Sequence, residues 1–285
     1  KELCKSGKGR SVPYITFGSG SRIILLTSRH HACESSGDYV LEGVIDGLLA
    51  NPVENARVIC VPFVDFDGVV DGDQGKSRNP HDHNRDYDIE NSAIYPETAA
   101  IRKFAENGVL YAFDFHSPWH CYNENDNVFI VRNRKSKLDE FSRFSTCLES
   151  NMNEYAFQYK SKNDYPPETN WNSSKTPCFA NYMLTNSNAD IAFTLETAYF
   201  GTEDNIFSQE NVVELGRCFA KSIKDYDENY KRITFTGDIM CSQKMVALNA
   251  DDYSCMFEEI SDELKTADYL VGNLETPIAG KELLY

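Results

Sequence analysis

The stretch Arg22-Ile23-Ile24-Leu25-Leu26-Thr27-Ser28-Arg29-His30-His31-Ala32-Cys33-Glu34 decides how this chain is read. Four consecutive apolar residues, Ile23 to Leu26, predict a buried strand. A polar turn follows, and from Ser35 a stripe of Val40, Val44 and Leu48, widened by Leu41 and Ile45, predicts a helix. Strand, turn and helix in that order set the turn beyond the strand's carboxyl end, where α/β sheets hold ligands. Within the turn, His31-x-x-Glu34 puts an imidazole and a carboxylate one helical turn apart, so two ligands can meet one ion. Alone the spacing arises by chance, and a solvated loop is the plain alternative. His30 offers a second histidine, one residue further from Glu34.

The alternation continues outward from this unit. Arg57 to Val64 reads as the next buried strand, and Asp65 to Asp88 as a long aperiodic loop of the kind that carries function. Pro96 at a first helical position and Gly108 just past the end bracket a helix over Glu97 to Asn107. Val109 to Phe115 is a β-rich run ending at His116, and Val128 to Val131 a short strand. Lys135 to Tyr155 predicts a helix, and Ser161 to Pro177 a polar loop punctuated by Pro166, Pro167 and Pro177. Ile191 to Leu195 is a strand ending at Glu196, and Glu210 to Tyr226 a helix. The expected fold is therefore α/β, a mostly parallel mixed sheet flanked by helices. His31, His116 and Glu196 all fall at carboxyl ends of its strands. A polar residue there is ordinarily just an exposed edge.

Near Tyr230 the pattern restarts, with a strand at Arg232 to Thr236, a Gly237-Asp238 turn, a helix at Phe257 to Leu264 and a strand at Tyr269 to Val271. Two domains are expected, 1–229 and 230–285, the second a truncated α/β segment. The chain opens at Lys1 without a Met, so the first domain is expected to lack its N-terminal part, and an export signal is not readable. A formal net charge of -16, with 44 acids against 28 bases, argues against nucleic acid as a partner. An anionic ligand would need a local cluster of Arg or Lys. No apolar run approaches the ~20 residues that span a bilayer. Nine cysteines with no Cys-x-x-Cys pair favour reduced thiols and a cytoplasmic setting. The oligomeric state is not legible.

In order along the chain stand Gly9-Arg10, Arg29-x-His31-x-x-Glu34, Ser36-Gly37, Glu42-Gly43, Val61-Pro62, Asp67-Gly68-Val69, Asn84-Arg85-Asp86-Tyr87, Asp114-x-His116 and Thr194-Leu195-Glu196. Over roughly residues 5 to 227 this wording resembles the zinc metallocarboxypeptidases, particularly the cytosolic carboxypeptidase branch and its bacterial relatives. The resemblance implies one zinc per chain on His31, Glu34 and His116, with a position left open for a water whose pKa falls toward ~7. It implies Glu196 as general base and then acid, and Asn84 with Arg85 as the grip on the terminal carboxylate of a peptide substrate. A cation from the loop before Asn84 should stabilise the oxyanion, and of Lys76 and Arg78 the latter is preferred. His81 and His83 are expected to bond within the loop around Arg85. Where relatives that remove acidic residues carry a Gly-rich, Arg-bearing segment, this chain reads Ser173-Ser174-Lys175-Thr176-Pro177-Cys178-Phe179. Lys175 as a substitute for that Arg would keep an acidic specificity.

The expected activity is release of a C-terminal amino acid. The rival readings are an amidohydrolase for γ-glutamyl or cell-wall peptides and a non-catalytic carboxylate-binding module. In the tail, Phe235-Thr236-Gly237-Asp238-Ile239-Met240, Ala267-Asp268 and Gly272-Asn273-Leu274-Glu275-Thr276-Pro277 resemble the opening of a CapA-type domain, a calcineurin-like metallophosphoesterase fold associated with capsule and poly-γ-glutamate synthesis. That resemblance implies Asp238 and Asn273 or Glu275 near a metal. Roughly 55 residues are present where a domain needs ~100, so a working second site is not expected.

Overall fold

The computed structural model describes residues 1–118, 123–155, 157–187, 189–203, 205–229, 233–239 and 269–274. Two compact units divide the chain, Lys1–Tyr226 and Asp227–Tyr285. The first begins with β1 (Glu2–Lys5), β2 (Ser11–Pro13), β3 (Ile15–Gly18), β4 (Arg22–Ser28), α1 (Ser36–Ala50), β5 (Ala56–Val61), α2 (Phe66–Asp71) and α3 (Pro96–Ala105). It continues with β6 (Val109–His116), β7 (Val128–Val131), α4 (Leu138–Met152), α5 (Phe179–Asn186), β8 (Ile191–Thr197), β9 (Gly201–Thr202), β10 (Asn205–Ile206) and α6 (Gln209–Asn229).

Six strands form one sheet in the order β3-β5-β4-β6-β8-β7. The four inner strands run parallel, and β3 and β7 close the edges antiparallel. This is an α/β fold with a mostly parallel mixed sheet. Successive side chains of a strand face opposite ways, and on β6 and β8 the two faces differ chemically. Phe113 of β6 meets Phe193 of β8 at 4.8 Å, Phe219 of α6 at 5.1 Å and Phe144 of α4 at 5.4 Å between ring centroids. Each such buried ring contributes roughly 1.5–3 kcal/mol to folding. The alternate residues Asp114, His116, Thr194 and Glu196 pair across the same two strands on the other face. One face is therefore a packed aromatic layer, and the other is left for chemistry.

Helix α1 leans on α6 closely enough that a Cβ on Gly43 would stand 1.9 Å from the Val213 carbonyl oxygen. Several short elements escaped the sequence pattern. The strands β1 to β3 are three or four residues long. Inside the long loop, α2 has six residues, and its start is fixed by the Asp65 carboxylate accepting the Gly68 N–H at 2.9 Å. Helix α5 has eight. Elements this short give hydrophobic periodicity too few turns to show. Strand β8 runs on to Thr197, so Glu196 lies within it rather than after it.

In the second unit β11 (Ile233–Ile239) and β12 (Tyr269–Leu274) pair in parallel, with Asp238 opposite Asn273. Glu275 and the helix expected at Phe257 to Leu264 lie outside the described residues. Among the described residues no helix is long and apolar enough to cross a membrane.

Candidate metal centre

From β4 the chain goes first to β5 on one side and then returns to β6 on the other, so the carboxyl ends of β4 and β6 flank a topological switch point. His31 comes three residues after β4, His116 closes β6, and Glu196 sits beside His116 in the sheet. Arg29 has φ +58°, a left-handed conformation that costs a non-glycine residue roughly 1–2 kcal/mol. Its guanidinium offsets this by an ion pair to Asp38 at 2.5 Å and a hydrogen bond to the Ala32 carbonyl. After that turn, His30 is fully buried and His31 reaches a cavity. A Cβ on Gly37 would meet the Phe115 carbonyl oxygen at 2.6 Å, so glycine lets the first turn of α1 close onto the end of β6.

Glu34, 1% exposed, is the hub. His31 Nδ1 lies 2.8 Å from Glu34 Oε1, and His116 Nδ1 lies 2.6 Å from Glu34 Oε2. Lys76 Nζ approaches Oε1 at 2.5 Å, and the Ser117 N–H donates to Oε2 at 3.2 Å. Each histidine has a carboxylate behind it. His116 Nε2 is 2.6 Å from Asp114 Oδ2, and His31 Nε2 is 3.5 Å from Asp82 Oδ1. The other Asp114 oxygen accepts from Thr27 Oγ1 and meets His30 Nδ1, both at 2.8 Å, and His30 Nε2 lies 2.8 Å from the Tyr87 hydroxyl.

Among the described residues two groups could hold a metal ion, His31 with Glu34 and His116, and His30 with Asp114 and His116; in each, the ligand atoms lie within 4.8 Å of one another. All three residues of the first line a cavity of about 220 Å³, which Lys76, Asn84, Arg85 and Glu196 also help to line, whereas of the second His116 alone reaches it. Two imidazole nitrogens and a carboxylate are a donor set that suits zinc. Those residues fit the metal.

Charge compensation runs through the whole cluster. Burial alone would lower the His116 pKa, but Asp114 and Glu34 raise it well above the usual imidazole range. Burial would raise Glu34, and the charges of His116 and His31 instead hold it far below an ordinary carboxylate. For Asp82 burial is overcome by His31 and Arg85, which bring it to about 2. Glu196 goes the other way. Burial, reinforced by the negative charge of Glu34 and opposed by His116, pushes its carboxyl up to about 7. Its Oε2 is buried with no hydrogen-bond partner.

Asn84 and Arg85 lie on a short 3-10 turn, His83–Arg85. The Phe179 N–H donates to Asn84 Oδ1 at 3.2 Å, and the Arg85 guanidinium donates to the Asn84 carbonyl at 3.1 Å. Both side chains line the cavity, as does Lys76. Arg78 does not line the cavity; it is drawn into ion pairs with the buried Asp65 and with Asp73, the latter at 3.0 Å. Lys175 is exposed on its loop and is not among the described residues that line the cavity. His81 pairs with Asp86 at 2.9 Å, and His83 stacks on Tyr95 at 3.8 Å between centroids, so both serve the loop. Sequence reasoning gave no role to Asp82, Asn133, Trp171 or Asn172. For Asp114 a signal existed, since Asp-x-His on a strand puts the carboxylate on the imidazole's face.

Cytosolic carboxypeptidase 2 of Homo sapiens is 23% identical to this chain over 314 residues, covering 98% of this chain and 33% of its own length. The Danio rerio protein of that name is 23% identical over 255 residues, covering 79% of this chain and 34% of its own. A metallo-carboxypeptidase from Burkholderia cenocepacia superposes with a TM-score of 0.62 at 18% identity, covering 80% of this chain and 64% of that one. One from Pseudomonas aeruginosa, in complex with (2-guanidinoethylmercapto)succinic acid, gives 0.62 at 17% identity over 79% of this chain and 64% of that one. The fold is zinc carboxypeptidase-like. By sequence the chain is homologous to cytosolic carboxypeptidases and spans about a third of the length of these curated relatives. Residues 232–285 match a different family, described as bacterial capsule synthesis protein PGA_cap.

Proposed function

We propose that this chain is a zinc-dependent metallocarboxypeptidase that hydrolyses the C-terminal amino acid from a peptide. One observation carries the reading: His31, Glu34 and His116 converge on a cavity that Glu196, with an unpartnered buried oxygen, also lines. His31 Nδ1, His116 Nδ1 and the Glu34 carboxylate would hold the ion. Bound there, zinc supplies Lewis-acid polarisation of the scissile carbonyl and acidifies water.

The chain's own residues do the rest. Asp114 keeps the His116 proton on Nε2, and the Asp82 charge, 3.5 Å from His31 Nε2, favours the same tautomer there, which leaves both Nδ1 lone pairs toward the cavity. Arg85 and Asn84 bind the substrate's terminal carboxylate, the guanidinium by a two-pronged match. Lys76 sets a positive charge where the carbonyl oxygen becomes negative. Glu196 accepts the proton of the attacking water and delivers it to the leaving amine. Its partly apolar burial keeps its proton affinity close to what that transfer needs.

Residues 1–229 would form the catalytic domain, and 230–285 would belong to a second one. The described cysteines at 4, 33, 60, 178 and 218 are free thiols, which supports a reducing, cytoplasmic setting. The PGA_cap match of the tail favours a second reading, a γ-glutamyl peptide as substrate. Metal content and peptide trimming, measured for the wild type and for His116→Ala, test the proposal. It predicts one zinc per chain and C-terminal release in the wild type, and neither in the variant. A zinc-free wild type that trims peptides at full rate would overturn it.

A further inference from the structure

We infer that the end of the cavity beyond the carboxylate clamp selects a C-terminal residue whose side chain is an uncharged hydrogen-bond donor, a primary amide above all. The inference rests on the carboxypeptidase reading and names its substrate class. Every charged residue of the described cavity lining belongs either to the cluster around Glu34 and Glu196 or to the clamp at Arg85. The remaining lining residues carry no formal charge. Thr194 lies two residues before Glu196 on β8, hence on its face, and pairs across the sheet with Val131, two residues before Asn133. Glu196, Thr194, Val131 and Asn133 therefore form one wall leading away from the metal ligands. Trp171, half-exposed and stacked on Tyr165 at 4.9 Å, gives the pocket an aromatic surface.

At the far end the orientation of two amides is fixed by the backbone. Asn172 Nδ2 donates to the carbonyls of Arg132 and Pro166, both at 2.9 Å, which consumes its two hydrogens. Its Oδ1 is then the atom presented to Asn133, whose Nδ2 points at it from 3.5 Å and at Cys178 Sγ from 3.9 Å. Turning the Asn133 amide over would set oxygen against oxygen. Asn133 Oδ1 is thereby left buried with no hydrogen-bond partner, in a side chain that is 4% exposed and lines the cavity.

A buried acceptor without a partner calls for a donor from the ligand. A carboxylate side chain brings acceptors only, and would face oxygens with no cation among the described lining residues beyond the clamp and Lys76. A Lys or Arg side chain brings donors but leaves its charge without a carboxylate among these lining residues. The amide of Gln or Asn satisfies both demands, giving an N–H to Asn133 Oδ1 and accepting from the Thr194 hydroxyl. Selectivity by buried hydrogen bonds is also strong, because a ligand lacking the matching group leaves the protein's own group unpaired.

The test uses the zinc-loaded full chain and peptides identical except at the last residue: Gln, Glu, γ-linked Glu, Lys or Met. Cleavage by the wild type is compared with binding of the same peptides to zinc-loaded Glu196→Gln. The Gln peptide should exceed each of the others by about tenfold or more in kcat/KM and in affinity. Asn133→Leu should bring Gln down to the level of Met, and Asn133→Asp should raise Lys above Gln. A wild type that handles Glu, Lys or Met as well as Gln overturns the inference, whether or not the Asn133 variants fold. If the wild type cleaves nothing while Glu196→Gln still prefers the Gln peptide, the inference stands and the catalytic reading falls. Neither cleavage nor binding of any peptide overturns both.

Discussion

Two clusters of histidine and carboxylate share His116 and differ in what they face. In the inner one, both oxygens of Asp114 and both nitrogens of His30 already have protein partners, and the group is sealed by Thr27 and Tyr87. In the outer one, His31, Glu34 and His116 open on a cavity shared with Glu196. The two have similar ligand spacing, so spacing does not distinguish a metal site from its support. What does is whether a coordination position faces space that a substrate can enter, and whether a proton acceptor stands beside it. By that criterion the proposal gives the ion to the outer group and assigns the inner group to orienting His116.

The largest expected effect breaks this assignment or makes it firm. Glu34→Ala should reduce bound zinc from one per chain to none and turnover by several orders of magnitude, whereas His30→Gln should keep the metal. Elemental analysis of the two purified variants decides it, and the reverse pattern would move the ion to the inner group. Glu196→Gln should retain zinc while kcat falls about 10²–10⁴-fold, since only the proton carrier is lost. Zinc content and kcat measured on one preparation separate this effect from loss of the metal.

Two lysine and arginine variants sharpen the boundary of the outer cluster. Lys76→Met should lower kcat by about 10²-fold with KM little changed. Arg78→Met should spare kcat and reduce folding stability by about 1–3 kcal/mol, because buried Asp65 loses its ion partner. If Arg78→Met instead cripples kcat in a fully folded chain, the oxyanion role belongs to Arg78 after all. Asp114→Asn should weaken zinc binding about 10–100-fold without abolishing it, as expected of a group acting through His116. A competitive zinc titration reads this directly.

The smallest effect concerns pH. Burial raises Glu196 from an ordinary 4.5 to about 7, so the folded chain binds that proton more tightly than the unfolded chain does. The resulting stabilisation is complete below a pH of about 4.5 and is lost as the pH rises through about 7. Denaturant midpoints of chelator-treated protein should therefore decline less steeply over that interval in Glu196→Gln than in the wild type. Equal slopes would mean that Glu196 is not held in its protonated form.

Much of this was written locally. The run Ile23 to Leu26 and the alternations Phe113-Asp114-Phe115-His116 and Phe193-Thr194-Leu195-Glu196 determined by themselves which residues form inner strands and which side chains share a face, because a strand's period is two wherever it lies. His31, Glu34, His116 and Glu196 could be singled out only through the family wording around them, since a polar residue at a strand end is ordinarily just an exposed edge. In the loop 65–88 the choice of cation had no such handle. There Lys76 and Arg78 are two residues apart, and only folding shows that Asp65 captures one while Glu34 draws in the other. The same holds for His30 against His31, of which the first is held by Asp114 and Tyr87 and the second reaches the cavity, and for Asn133, whose orientation depends on Asn172 and two carbonyls. Periodicity is a property of neighbours along the chain, but partner choice among charged and polar groups depends on distances through space, and those are set only when the sheet and its loops have closed.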